Sequence, residues 1–489
     1  MKLKHILICF TLGFLATSCE KYLEITPKGE VIPETLDHYS RMLNQAYYNF
    51  PDYKDQLYFR DDNVVMNDAL DLDVSASGSV LSIYFWEQSD NNYLESPYKY
   101  REFYNIIFYA NEIIKGVSDI ANSSEKQELL AETYALRAYA YFGLINLYAP
   151  HYNATTASTD KGVPLVFETD LEAKYPKSSV QAVYNQILSD LNNAENMMIT
   201  EKREVTSDSG TIDRATNYRF SKVSVYAFLS RVHLYMSNWA KAEEYADKAL
   251  AINADLYDMS AFTMGSLSSR LLPYRYQSVE MLLALDTPSA NMSSYVYVTD
   301  EFLDKMDPTQ DRKLVNYSST STSQITDRRM LLNVMPDYYG TYLNQYNCGW
   351  DCLEYYKYTV AKPNIAGCSF RTAELYLNKA EAQTRQNKDT EAKAVLLTLL
   401  QNRHATSAHT TLETTINGLS NADLLQRILD ERDIEFFAEG HRWFDLRRAN
   451  QKQIVHTYQT TTYTLQANDP RYTISFPAEA VKQNPLLGE

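Results

Sequence analysis

Residues 424–448 read LLQRILDERDIEFFAEGHRWFDLRR, and this stretch decides the fold. Ser420 with Asp423 three positions on is a capping-box-like start, its hydroxyl placed to satisfy early backbone N–H groups. Leu425, Ile428, Leu429 and Phe436 recur at helical spacing and predict one buried face. Gly440 is expected to stop the helix, because glycine adopts positive φ without a Cβ penalty. Beyond it, Trp443 and Phe444 stand between Arg442 and Asp445. Large rings flanked by Arg and carboxylate predict a docking segment, not a solvated tail. Glu431, Asp433, Glu435 and Glu439 lie among Arg427, Arg432 and Arg442, which are expected to hold them ionised in structural pairs. A general acid would need a less cationic setting to raise its pKa.

Upstream, helical hairpins recur. At 131–148, Tyr134, Ala138, Tyr141 and Ile145 repeat at three and four, and Pro150 ends the run. Over 223–253, Tyr226, Leu229, Ser230 and His233 occupy one helix. Ala242, Ala246 and Ala249 line a second beyond a turn at Ser237-Asn238. A third copy over 373–402 has Tyr376, Ala380 and Gln383, then Ala392, Leu396 and Leu399 beyond Asn387-Lys388. Small residues at these offsets resemble the tetratricopeptide pattern, in which paired helices approach closely. Further helices are predicted at 35–50, 97–117 (through Phe103, Ile106, Ile107, Ala110, Ile113 and Ile114) and 178–198, the last partnering 131–148. Irregular segments at 149–177, 254–300 and 307–370 separate the hairpins, as expected of a scaffold that carries binding loops. The insert 254–370 should hold short strands, for instance at 279–285 and 295–298.

The first nineteen residues read as an address. Lys2 and Lys4 precede an apolar run at 6–15, too short to span a bilayer. Leu15-Ala16-Thr17-Ser18-Cys19 resembles a bacterial lipobox, in which Cys19 becomes the acylated N-terminus; an ordinary signal peptide with Cys19 incidental is the alternative. Several acyl chains on one cysteine anchor stably, at about 0.8 kcal/mol per buried CH₂. No second apolar run of eighteen residues follows, so the mature chain is expected to be anchored and not to span. Cys348, Cys352 and Cys368 remain after processing. A disulfide or buried thiols are expected there over zinc, since no paired CxxC or nearby His completes four ligands. The formal charge of −16 argues against nucleic acid, whose phosphates need a basic face.

No HExxH, GxSxG, glycine-rich phosphate loop or dinucleotide fingerprint occurs, and no cofactor or metal is expected. Carboxylates are plentiful, but no spacing singles out a glycosidase pair. His233 and His441 each stand beside helical aromatics and read as packed residues. Sugars present apolar C–H faces ringed by hydroxyls, so a site for them wants exposed rings beside amides, carboxylates or Arg. Rings interrupt loops in three places: Tyr84 and Trp86 with Asn91, then Tyr295 and Tyr297, then Tyr338 and Tyr339 leading to Trp350. These are the expected ligand contacts, with core packing or partner contact the competing role for most of the rings.

The segments YLEITPKG after Cys19, ALRAYAYFGLINLYA, SRVHLYMSNWAKAEEYADKAL, AELYLNKAEAQ and FAEGHRWFDLRR together resemble the SusD/RagB family of outer-membrane nutrient-binding lipoproteins, in family order along nearly the whole chain. The resemblance implies a mainly α fold: a scaffold of tetratricopeptide-like hairpins with a large irregular, short-strand ligand-binding part. It implies a signal peptide over 1–18, a lipidated tether over 19–34 and a single domain over 35–489. Repeats would lie near 131–198, 220–253 and 371–402, with a variable insert at about 254–370 and the signature at 424–448. It further implies a surface-exposed lipoprotein of the outer membrane, with no enzyme activity, that binds glycan and delivers it to a TonB-dependent, SusC-like transporter. Peptide binding is the alternative within the family; a surface glycoside hydrolase and a pure protein adaptor are alternatives outside it. The family's ligand residues lie on variable loops, so none is carried over to this chain.

Overall fold

A computed structural model describes residues 33–488 except 49, 52, 68–79, 88–97, 169, 171, 209–211, 216, 262–272, 286–295, 310–324, 337–357 and 361–368. The scaffold helices are α1 (Leu36–Tyr48), α2 (Tyr100–Gly116), α3 (Ser124–Tyr148), α4 (Val180–Met197), α5 (Lys222–Tyr235), α6 (Trp239–Ile252), α7 (Thr372–Arg385), α8 (Asp389–Gln401), α9 (Asn421–Glu435) and α10 (Arg442–Ala449). Helix α3 packs on α4, α5 on α6 and α7 on α8, while α2–α3 and α6–α7 contacts join the pairs into one array. This is the mainly α, tetratricopeptide-like class that the periodicity predicts.

Helix α3 lies at the centre. Alanines, tyrosines and leucines run round all its sides, and nearly every residue from Ala131 to Tyr148 is buried. A helix without a polar face is stable only when other elements surround it. It begins seven residues before the predicted start, because the Ser123 hydroxyl accepts from Lys126 N at 3.1 Å and caps a polar first turn. At Gly143 a Cβ would stand 2.4 Å from the Phe103 ring, so α2 and α3 can approach this closely only over glycine.

The small-residue seam packs as its spacing predicts. Ala242, Ala246 and Ala249 are fully buried, and Ser230 Oγ donates to Ala242 O at 2.9 Å across the α5–α6 hairpin. Asn378 Nδ2 of α7 donates in turn to Ser230 Oγ, linking one hairpin to the next. Ser237 and Asn387 hold the same place in their two turns and both adopt left-handed φ, at 57° and 60°. Short polar side chains tolerate that region better than bulky ones.

In the insert, Met281–Leu283 pairs with Phe370–Arg371, and Val296–Val298 pairs antiparallel with Val64–Met66. Strands thus form at both predicted places, but their partners lie far away in sequence. A helix at His409–Gly418 and a hairpin of Ile454–Tyr458 with Thr461–Leu465 complete the C-terminal part.

The signature stretch departs from expectation in two respects. The Ser420 cap forms, with its Oγ accepting from Asp423 N at 3.3 Å. Yet α9 buries Leu424, Ile428, Glu431, Arg432 and Glu435, and leaves Leu425 and Leu429 half-buried. The inward face is rotated by one residue because its lower half is ionic. The helix also ends at Glu435, before Gly440, and both Ala438 (φ 59°) and Gly440 (φ 84°) turn the chain. Helix α10 then docks as expected: Arg447 donates to Ala149 O just past the C-terminus of α3, where the helix dipole favours a cation.

Candidate functional site

The charged residues of α9 form a buried hub, and most of their partners come from outside the stretch. Arg403, fully buried, donates to both oxygens of Glu280 (2.7 and 2.9 Å) and of Glu435 (2.9 Å each). Arg371 grips Glu439 with two bonds (2.9 and 3.0 Å) and reaches Glu435 at 2.9 Å. Arg329 bridges Asp327, Glu431 and Glu435. Burial alone would raise the Glu435 carboxyl, but Arg403, Arg371 and Arg329 hold it well below the usual carboxylate range. The structural pairing predicted here is present and partly uses the expected cations, since Arg427 meets Glu431 at 2.8 Å and Arg442 meets Asp433 at 3.4 Å, but the other expected cation and most further contacts serve different partners. Arg432 pairs with Asp445, Arg442 with Asp62, and Arg427 covers the outer side of Glu431. Asp433 meets Lys305 at 3.0 Å. The reason is geometric: pairs within one helix lie on its surface, whereas an inward carboxylate must find its cation across an interface. Glu280, Asp327 and Arg329 come from the insert and Arg371 from the start of the third repeat, so the hub bolts the loop-rich part to the repeats.

Burial lowers the pKa of His233, His441 and His456. His441 stacks on Phe436 at 4.4 Å, and burial with the nearby Arg231 and Arg432 pushes its pKa well down. His233 lies against Tyr245 and is pushed to about 4 by burial and Lys241. Burial also pushes His456 to about 4, although both ring nitrogens face carbonyl oxygens, of Tyr84 and Asp61, that favour the imidazolium. These folded-state values lie below the unfolded value of about 6.5. The stability they contribute is therefore present above about pH 6.5 and is lost as pH falls towards about 4. We expect His233 and His456 to stay neutral at pH 5.5 in an NMR titration; imidazolium there would overturn this account.

Of the rings expected to meet ligand, Tyr84, Trp86 and Tyr297 are buried. Tyr84 stacks on His456 at 4.0 Å and donates to Thr457 O; Trp86 stacks on the other side at 4.2 Å and donates from Nε1 to Arg60 O at 2.9 Å. Tyr297 lies in the strand paired with Val64–Met66. In this structure they are core residues, because the three-ring run 84–86 closes against the hairpin 454–465, where Phe85 stacks on Tyr463 at 3.6 Å. Asn91, Tyr295, Tyr338, Tyr339 and Trp350 lie outside the described residues, as do Cys19, Cys348, Cys352 and Cys368.

An open groove of about 700 Å³ runs along the outer side of α2. Tyr100, Tyr104 and Phe108, spaced i, i+4, i+8, form its floor, and Asn105 and Arg101 stand exposed beside them. Its walls are pinned from behind. Tyr104 donates to Pro164 O, and Asn111 and Tyr141 both donate to Val166 O at 2.9 Å. Asn484 Nδ2, just past the helix Ala478–Gln483, donates to Tyr175 O at 2.7 Å and ties the C-terminal wall to the loop. Tyr100 and Tyr104 meet at 5.0 Å with a 51° tilt. Sequence reading missed this site because α2 was read only for its core stripe. The signal was a second aromatic stripe, offset from Phe103, Ile106 and Ile107. A cleft with fixed walls, ring faces and a polar rim is the arrangement that binds small polar molecules with apolar faces.

A SusD family model matches residues 336–487, and a second model, described as starch-binding associating with outer membrane, matches 21–234. The chain belongs to the SusD/RagB family. It is 25% identical over 501 residues to a SusD-like protein of Formosa agariphila, covering 91% of this chain and 90% of that one. Among solved structures, a SusD superfamily protein of Bacteroides thetaiotaomicron aligns with a TM-score of 0.66 at 20% identity, over 92% of this chain and 98% of its own. A SusD-like carbohydrate binding protein of Bacteroides vulgatus aligns at 0.61 and 18%, over 93% and 97%. At these identities the SusD structures show that the fold is shared.

Proposed function

We propose that this SusD-like chain is a non-catalytic glycan-binding lipoprotein of the outer membrane, exposed at the cell surface. It captures oligo- or polysaccharide and passes it to a SusC-like, TonB-dependent transporter. The observation that carries the reading is the α2 groove, which offers tyrosine and phenylalanine faces beside amide and carboxylate groups. The family description as starch-binding and outer-membrane associating supports it. The non-catalytic part rests on the hub, whose carboxylates are saturated by guanidinium groups and shielded from water. Asn91, Tyr295, Tyr338, Tyr339 and Trp350 are proposed as further ligand contacts.

Affinity electrophoresis of the mature protein against a panel of polysaccharides tests the reading, and retardation by at least one is expected. Binding to peptides with no polysaccharide bound would replace glycan by peptide as the cargo. Release of reducing sugar on prolonged incubation, abolished by one carboxylate substitution, would overturn the non-catalytic reading. Anchoring is tested separately. Cys19→Ala is expected to leave the protein soluble and absent from the outer-membrane fraction, and retention there would count against acylation of Cys19.

A further inference from the structure

We infer that the α2 groove is selective for uncharged glycan and rejects polysaccharides bearing uronate or sulfate. This rests on the glycan-binding reading and names the substrate class of the same site. The first observation is the charge of the lining. Among the described lining residues, Glu102, Glu168, Asp170 and Glu479 stand against a single guanidinium, Arg101, which itself lies 3.8 Å from Glu102, while the exposed Lys482 lies 3.7 Å from Glu479. Glu168 and Asp170 are solvent-exposed and stand on the wall fixed through Pro164 and Val166, so they meet an incoming ligand at the rim. Among the described residues, no histidine lines the groove to supply a second, pH-dependent cation.

The second observation is the ring floor. Successive residues of the stripe rise about 6 Å per four positions of helix, so three rings follow one another along the groove. The polarised C–H faces of a sugar are attracted to the negative face of an aromatic ring, and that contact needs no counter-charge from the protein. An anionic sugar in the same place would bring its charge within a Debye length, about 8 Å, of several carboxylates at once. It would also have to give up water for one guanidinium, Arg101, which already has Glu102 at 3.8 Å to offset it, whereas an unopposed guanidinium fork recognises carboxylate and sulfate elsewhere. A neutral sugar meets neither obstacle, and amide groups such as Asn105 can bond its hydroxyls.

The experiment compares matched polysaccharide pairs differing in charge: methyl-esterified against de-esterified homogalacturonan, unsubstituted xylan against glucuronoxylan, and agarose against a sulfated galactan. Wild type, Phe108→Ala, Asn105→Ala and the double variant Glu168→Gln/Asp170→Asn are each measured at low and high salt. Wild type is expected to bind neutral members about tenfold or more tighter than their acidic counterparts, and Phe108→Ala to weaken neutral binding about tenfold. The double variant is expected to narrow the neutral-to-acidic ratio at low salt. Failure of wild type to bind any polysaccharide would sink the glycan reading itself. Glycan binding that Phe108→Ala and Asn105→Ala leave unchanged would sink the groove assignment while the glycan reading stood. Acidic members bound as tightly as neutral ones, and equally lost in Phe108→Ala, would overturn the charge selectivity alone.

Discussion

Arg403→Met is expected to destabilise the protein by about 3–5 kcal/mol, because it removes one partner from a buried ionic network. Arg403 is fully buried and makes four bonds to the carboxylates of Glu280 and Glu435, with a fifth to Tyr257 O. Without it, Asp327, Glu280, Glu431, Glu435 and Glu439 lose the cation that bridges Glu280 to Glu435 and are left sharing Arg329 and Arg371, with Arg427 at the edge. Carboxylates left without a cation in a dry site must be protonated or the site must open. The sign of the pH response follows. In wild type, Glu435 has a depressed pKa, so its stabilisation is present above about pH 4.3 and declines as pH falls below it. In the variant the same carboxyl is expected to be raised, so lowering the pH from 7 towards 5 should recover part of the loss. Arg403→Lys keeps the charge but not the two-pronged geometry and should fall between the two. Urea unfolding at pH 7 and pH 5 checks all three. A variant within about 1 kcal/mol of wild type at pH 7 would show that the hub does not hold the insert on the scaffold.

Trp443→Ala is expected to cost about 3–5 kcal/mol as a core truncation. Trp443 is 1% exposed, stacks on Tyr472 at 5.0 Å and carries the Arg60 guanidinium 4.6 Å above its ring. Removing the indole opens a cavity where α10 meets the C-terminal segment and strips a buried cation of its ring face. Among the described residues its buried Nε1–H has no partner, so Trp443→Phe is expected to give up no hydrogen bond and to cost about 1.5 kcal/mol or less. Trp443 does not line the groove, so glycan affinity in the folded fraction should be unchanged. A folded Trp443→Ala protein that has lost glycan binding would mean that the site lies at the signature after all.

Both variants bear on how much could be read in advance. The hairpins at 222–252 and 372–401 were legible because alanine seams and left-handed turn residues are local signals, set by helix geometry within about thirty residues. The docking of α10 was legible because Trp443 and Phe444 between charges have few exposed solutions. The binding surface was less legible. A run of aromatics, such as 84–86, looks the same in sequence whether it becomes a platform or a core. Tyr84 and Trp86 became core because His456, some 370 residues away, inserted between them. The Tyr100, Tyr104 and Phe108 stripe was visible as periodicity, but only the wall at 164–175 and the C-terminal helix make it a groove.

Sequence alone determined the helical class, the order of the repeats and the inward turn of the signature, since each depends on residues a few positions apart. The tertiary structure decided which cation serves each buried carboxylate of that signature, and which aromatic rings keep a free face. Ion pairing and burial are set by neighbours brought together across hundreds of residues, and local periodicity carries no record of them.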